Sequence, residues 1–209
     1  MFGSFDSEKL AGWLGKWWFS LLLIIPVILM TEFAWTGLSV NVMLTLNYPF
    51  VFPFSFIYFL TDNLNLIIHE SGHTIFGIFG WRFLTVLGGT LMQLLIPFSV
   101  FLYAHINRSK ITAQISLFWL GMNWIDSAIY CADAYYQNLP LIGNLPKSSH
   151  DYLNLLSSLN ILDKYMTVAW LMFSVAILCF IGSLIYPLFV RKLYDYVDLE
   201  NELQRSGLM

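Results

Sequence analysis

Five long apolar runs constrain the fold of this chain more than any other feature. They lie at about 17–39, 55–80, 88–105, 112–131 and 165–190. A helix of roughly 20 apolar residues crosses the hydrocarbon core of a bilayer, so each run is long enough for one span. We therefore expect an all-α integral membrane protein with about five transmembrane helices, forming a single membrane-embedded domain over 1–209.

Composition and charge indicate a lipid environment and argue against a nucleic-acid partner. The chain is 58% hydrophobic and 11% charged, whereas a water-soluble domain carries about 25% charged residues. The net charge is -3 and no long basic run is present, so we expect no nucleic-acid partner. The expected surroundings are the lipid bilayer.

The polar segments between the runs predict the connections. Residues 40–54 are expected to form an interfacial loop or a re-entrant piece, and 81–89 a tight connection or a short extended hairpin ending at Gly88-Gly89. Residues 132–163 are predicted to form a loop that leads into a surface helix, because apolar residues recur at helical spacing after Asp151. The polar tail, 191–209, is predicted to continue as an amphipathic helix outside the bilayer.

The second apolar run contains the motif His69-Glu70-Ser71-Gly72-His73. Positions four apart share a face of a helix, so both imidazoles can bind one metal ion while Glu70 activates a water held by that metal. The same pattern occurs without metal in soluble proteins. Within a transmembrane run, however, ionisable residues are costly unless they pair or bind an ion. The motif therefore predicts a zinc site rather than three polar residues that only hydrogen-bond within the bundle.

Two histidines leave the site incomplete, because catalytic zinc usually has three protein ligands and one water. Cys131 and Cys179 lie in apolar segments and do not form a cysteine-based zinc site. The remaining candidates for a third ligand are His105, His150, Asp126, Asp133 and Asp151.

Consecutive spans cross the membrane in opposite directions, an antiparallel threading that indicates which candidates lie at the same membrane face as His73. His73 lies near the end of the second run, and the fourth run ends at the same membrane face, whereas His105 lies at the opposite end. We expect Asp133 or His150 to be the third ligand and Asp151 to orient a ring nitrogen from outside the ligand set. Simpler roles stay open: Asp133 can cap the fourth helix, and His150 or Asp151 can cap the helix that follows.

The third run opens with two glycines and a glutamine. Gly88 and Gly89 permit close backbone approach, and Gln93 offers both a donor and an acceptor, so it can hold a substrate backbone or an oxyanion. The alternative is that small residues at these positions let two helices pack closely.

Taken together, these motifs resemble the site-two protease family of intramembrane zinc metallopeptidases. The resemblance covers about 57–134 and rests on the His69 to His73 motif, a short connector and the run Gly88-Gly89-Thr90-Leu91-Met92-Gln93-Leu94-Leu95-Ile96-Pro97. It implies a three-helix core that holds zinc through His69, His73 and an aspartate from the third core helix, with Glu70 as the general base. Asp133, in Tyr130-Cys131-Ala132-Asp133-Ala134, would take the place of that aspartate.

The family's usual third-ligand signature, Asn-x-x-Pro leading to Leu-Asp-Gly, is absent. The chain is instead similar to a compact bacterial branch of such membrane peptidases, in which Tyr-x-Ala-Asp-Ala and a His-Asp-aromatic motif accompany the helix motif. The second of these motifs is His150-Asp151-Tyr152 here. This resemblance implies a multi-pass protein of a bacterial inner membrane.

The expected function is therefore zinc-dependent hydrolysis of peptide bonds in a membrane protein or peptide substrate. Zinc would make its water more acidic, and Glu70 would take the proton as the oxygen attacks the substrate carbonyl. A lipid amidase or esterase is one alternative, because the same activated water attacks any acyl carbon. A metal-binding transporter or a catalytically inactive scaffold is another, since intramembrane acids and histidines also bind ions reversibly.

Overall fold

The computed structural model describes residues 7–39 and 50–205, and every regular element in these two segments is helical. The all-α class is therefore confirmed for the described part of the chain. Short 3-10 turns at Ile142–Asn144, Lys147–Ser149 and Leu162–Lys164 lie between the last helices. The α-helices are α1 (Ser7–Ser39), α2 (Phe54–Gly77), α3 (Arg82–Ile106), α4 (Lys110–Ala132), α5 (Asp151–Ser158) and α6 (Tyr165–Arg205).

Three stretches of the described residues are long and apolar enough to cross a membrane. They are Gly12–Ser39 in α1, Arg82–Ile106 in α3, and Leu162–Phe189, which includes most of the apolar part of α6. Large apolar side chains on these helices point outward, such as Ile25 and Leu178, each 66% exposed. An apolar solvent suits such a surface better than water does. The predicted total of five spans is not confirmed, because α2 and α4 are not among the three.

The centre of the bundle is α4, which packs against α6, α3 and α1. Its most extensive contact is with α6, where Gly121 lies against the ring of Phe180. A Cβ atom at Gly121 would come within 2.5 Å of Phe180 Cε1, so the ring occupies the space that a larger residue would need. Buried side chains from α1, α4 and α6, including Met30, Ile125 and Phe173, complete this core.

Two glycines bring α2 and α3 into backbone contact. A Cβ atom at Gly72 would overlap the carbonyl oxygen of Gly88, and one at Gly88 would lie 2.7 Å from the carbonyl oxygen of Gly72. Only residues without a side chain allow two helix backbones to approach this closely. The contact holds the half of α2 that contains His69 and His73 against the first half of α3.

The prediction of a short extended hairpin within 81–89 is wrong. The connection is only 78–81, with Gly80 at φ +68°, and α3 already begins at Arg82. Gly88 and Gly89 therefore lie inside a helix, although each glycine in a helix interior destabilises the helix by about 1 kcal/mol relative to alanine. Close packing against α2 offsets that preference.

Between α4 and α6 the chain forms turns and one short helix. α5 begins at Asp151, where the sequence pattern predicts a surface helix, and buries Tyr152, Leu155 and Leu156 against the bundle. Its main contact is with α3. The predicted tail helix is continuous with α6 up to Arg205, while 206–209 and residues 40–49 of the predicted loop lie outside the described part of the chain.

Replacement of Gly72 by alanine is expected to destabilise the protein, because the new methyl group meets a backbone atom of α3 that cannot rotate away. We expect a loss of about 1–3 kcal/mol of unfolding free energy, seen as a lower melting temperature in detergent. Gly77→Ala is the matched control, since a Cβ atom there would lie 3.5 Å from Thr85 Cγ2, an ordinary contact. Equal melting temperatures for the two variants would contradict the close α2–α3 contact.

Candidate metal centre

Two imidazoles of α2 converge on one carboxylate of α5. The Nε2 atom of His69 lies 2.9 Å from Asp151 Oδ2, and the Nε2 atom of His73 lies 3.3 Å from the same oxygen. The two rings are nearly perpendicular, with centroids 4.8 Å apart. The spacing of four residues therefore places both side chains on one face of α2, as the sequence predicts, and α5 supplies the third group.

The other nitrogen of each ring is held by a group of α3. His73 Nδ1 lies 2.9 Å from the carbonyl oxygen of Thr85, which can only accept, so Nδ1 carries the hydrogen. His69 Nδ1 lies 3.0 Å from Gln93 Oε1 and donates to it. These contacts orient both rings with Nε2 toward Asp151. Hydrogen bonds of this kind at Nδ1 are typical of histidines that bind metal through Nε2.

The three converging atoms form a suitable donor set for a divalent cation. In the neutral imidazoles both Nε2 atoms are acceptors, and a carboxylate oxygen is an acceptor too, so positive charge is needed between them. Protons on the imidazoles or a metal cation can supply it. Ligand atoms around a four-coordinate zinc ion are roughly 3.3 Å apart, given bond lengths near 2.0–2.1 Å. The distances from Asp151 to the two histidines are close to that separation.

The environment of Asp151 favours its ionised form. Burial alone raises the pKa of this carboxyl, but His69 and His73, when protonated at Nε2, donate hydrogen bonds to it that outweigh that effect and hold the pKa below its ordinary value. Its backbone N–H donates to the hydroxyl oxygen of Tyr130, 3.2 Å away. Asp151 therefore presents a fixed negative charge to the two rings, as a metal ligand must.

Glu70 lies beside this centre at the edge of a cavity. One of its carboxylate oxygens and one ring nitrogen from each of His69 and His73 lie within 4.8 Å of one another. Glu70 is half-buried, and with His69 it lines a cavity of about 290 Å³ between α2, α3, α4 and the segment 139–142. A molecule in that cavity would be within reach of the Glu70 carboxylate.

The structure places Asp126 elsewhere on the wall of the same cavity. Asn65 Nδ2 donates to its Oδ2 at 3.3 Å, and the Tyr58 hydroxyl donates to its Oδ1 at 3.5 Å. His105 lies at the other end of the bundle, as antiparallel threading predicts, with Nδ1 2.9 Å from the Tyr186 hydroxyl. Neither residue is brought to the two imidazoles.

Asp133 and His150, the two residues expected to supply the third ligand, contact each other. His150 Nε2 lies 3.6 Å from Asp133 Oδ2, and His150 Nδ1 accepts the backbone N–H of Leu153. Asp133 also accepts the backbone N–H groups of Asn138 and Leu139. The carboxylate folds back over the turn that follows α4, so Asp151 rather than Asp133 meets His69 and His73.

The second glycine of the pair makes room for the imidazoles. A Cβ atom at Gly89 would lie 2.5 Å from His69 Nε2 and 2.7 Å from His73 Cε1, so both rings rest on the bare backbone of α3. Sequence reasoning anticipated a close approach at this position. It missed the carbonyl of Thr85, because a backbone group carries no sequence signal.

Comparisons with protein-family models, with curated proteins and with solved structures give no match to this chain.

Replacement of Gly89 by alanine is expected to displace the two rings and so to weaken the binding of zinc added to the purified protein. The new methyl group would occupy the space of His69 Nε2, the atom that faces Asp151. Chelator competition on the purified protein measures the affinity, with Gly77→Ala as the control on the same helix pair. Wild-type zinc affinity in Gly89→Ala would show that the rings do not depend on this contact.

Proposed function

We propose that this chain is an intramembrane zinc metalloprotease, similar to the site-two protease family, that hydrolyses peptide bonds of membrane-associated substrates. One observation supports the proposal above all: His69 Nε2 and His73 Nε2 face a single oxygen of Asp151, with Glu70 beside them at a cavity. In many zinc hydrolases two imidazoles and one carboxylate bind the metal and a neighbouring glutamate acts as the general base.

His69, His73 and Asp151 would hold the zinc ion. When bound, zinc supplies a Lewis acid and makes water acidic enough to lose a proton near neutral pH. The chain contributes the orientation of the ligands, because Gln93 and the Thr85 carbonyl fix both Nδ1 hydrogens and leave the Nε2 lone pairs free for the metal. In this reading Gln93 orients His69, whereas its sequence position predicts a contact with a substrate backbone or an oxyanion.

Glu70 is the proposed general base. Its carboxylate takes a proton from the attacking water as the oxygen forms a bond to the substrate carbonyl carbon. The same proton then passes to the amide nitrogen as the carbon–nitrogen bond breaks, which yields a carboxylic acid and an amine. The half-buried position of Glu70 at the cavity edge suits both transfers.

The cavity is the proposed substrate site. It extends from His69 and Glu70 along α2 to Asp62 and Asn65, and Leu139 and Leu141 contribute to its apolar side. Peptide bonds in a transmembrane helix are shielded by their own hydrogen bonds. A substrate segment must therefore unwind before it enters, and the polar groups along the cavity can replace the hydrogen bonds that it loses.

The proposed topology has five spans, α1 to α4 and the apolar part of α6, in a bacterial inner membrane. α2 has 24 residues and α4 has 23, which at 1.5 Å per residue gives roughly 35 Å, enough for a hydrocarbon core of about 30 Å. On α2, Phe59 and Ile67 are 60% and 65% exposed. Asn65 lies on the opposite side and is buried. α2 to α4 would be the three-helix core of the protease.

Replacement of Glu70 by glutamine is expected to abolish cleavage and retain zinc, because the ligands remain and the base is lost. His73→Ala is expected to lose the metal as well as the activity. Zinc content and cleavage of transmembrane peptides by the purified, zinc-loaded proteins measure both.

Persisting proteolysis in Glu70→Gln would refute the proposal, and hydrolysis of detergent-dispersed lipids instead of peptides would favour a lipid amidase or esterase. Zinc that exchanges rapidly and is open to chelators, with no hydrolysis, would favour a transporter.

Replacement of Asp151 by alanine is expected to lower zinc affinity by more than the roughly 10–100-fold that loss of an outer-shell partner costs. The matched control is Asp126→Asn, a candidate carboxylate that lies on the cavity wall beside Asn65 and Tyr58 and should leave zinc affinity unchanged. Chelator competition gives both values. A normal affinity in Asp151→Ala would remove Asp151 from the ligand set.

A further inference from the structure

We infer that Asp133 and His150 are positioning residues, whose buried contact fixes the start of α5 so that Asp151 reaches His69 and His73. The inference rests on the proposed function, since it concerns the same zinc centre. It assigns a role to the two residues that the sequence singled out as ligands and that the structure places behind Asp151.

The pair is buried almost completely. His150 is 0% exposed and Asp133 is 1% exposed. Two backbone N–H groups satisfy the carboxylate, at 2.7 Å from Asn138 and 2.9 Å from Leu139, and His150 Nε2 approaches it at 3.6 Å. A buried carboxylate is costly unless such partners surround it. These contacts hold both side chains in place beside the end of α4.

His150 connects this buried pair to Asp151, because it begins α5. It is the N-cap of α5, and its Nδ1 accepts the backbone N–H of Leu153 at 3.3 Å. Because Nδ1 is an acceptor, Nε2 carries the hydrogen and lies on the side of the ring that faces Asp133, at a distance longer than a hydrogen bond. The ring is therefore hydrogen-bonded through Nδ1, and its Nε2 lies beside the buried carboxylate. Asp151 follows directly in sequence, so the direction of its side chain depends on where the cap is held.

Tyr130 reinforces the same turn from α4. Its ring packs on His150, with centroids 4.2 Å apart, and its hydroxyl accepts the backbone N–H of Asp151. Tyr130 and Asp133 are three residues apart, a spacing that places both on one side of the end of α4. The Tyr-x-Ala-Asp-Ala and His-Asp-aromatic segments thus form one structural unit that supports Asp151.

A double-mutant cycle tests this role. His150→Asn keeps an N-cap acceptor for the Leu153 N–H but is too short to reach Asp133, and Asp133→Asn removes the charge with little change in size. Each variant is expected to lower zinc affinity by roughly 10–100-fold. The double variant should lose no more than the worse single variant, because both changes break one contact.

Cobalt(II) provides a second readout. The visible absorption of the Co2+-loaded protein reports ligand geometry, and the single and double variants should show the same altered spectrum. Phe180→Leu is the control for general destabilisation: it weakens the α4–α6 core away from the centre, so it should lower the melting temperature and leave zinc affinity and the cobalt spectrum unchanged. If His150→Asn does not fold, Tyr130→Phe replaces it, since it removes only the hydroxyl that accepts the Asp151 N–H.

The outcomes separate the two proposals. A wild-type protein that binds no zinc would refute the proposed function. A wild-type protein that binds zinc, together with unchanged affinity in the variants, would overturn the positioning role alone. Additive losses in the double variant, or losses that merely follow the melting temperature as in Phe180→Leu, would also overturn it.

Discussion

The meeting of two imidazole nitrogens with one carboxylate oxygen imposes the main constraint on this structure. His69 Nε2, His73 Nε2 and Asp151 Oδ2 are held together inside a largely apolar bundle, where charge is costly unless it is compensated nearby. Residues of α3 and α5 hold these three atoms in place. Gly89 leaves space for the rings, Gln93 and the Thr85 carbonyl orient them, and α5 delivers the carboxylate.

The arrangement also explains why α2 has two different sides. Its large apolar residues, such as Phe59 and Ile67, are exposed, while Asn65 and His69 line the cavity and His73 contacts α3. Asn65 is satisfied there: it accepts from the Trp119 indole N–H at 2.7 Å and donates to Asp126. Buried polar groups in a largely apolar bundle need such partners, because their apolar surroundings offer no hydrogen bonds.

The contact between Gly72 and Gly88 connects the packing of the bundle to the chemistry of the centre. It brings the backbones of α2 and α3 together, and one residue later on α3 the bare backbone of Gly89 supports both rings. A wider separation of the two helices would also lengthen the contacts from His73 to Thr85 and from His69 to Gln93. Close helix packing and ring orientation are thus parts of one interaction.

Several features were predictable because they depend on local periodicity. The helical class follows from the apolar runs, and the shared face of His69 and His73 follows from the four-residue spacing on a helix. The close approach at Gly88 and Gly89 was predictable too. The start of α3 at Arg82 was not, because tertiary packing against α2 stabilises a helix through two glycines that local propensity disfavours.

The sequence by itself determined which residue types lie in apolar surroundings and that two imidazoles share one face of a helix, since both follow from the regular geometry of a single segment. Only the tertiary structure decided that Asp151, and not Asp133 or His150, approaches those imidazoles. The physical reason is that the direction of each of these side chains depends on the turns between α4 and α5. Those turns are fixed by contacts between residues far apart in sequence, such as Tyr130 with Asp151 and Tyr152 with Thr90.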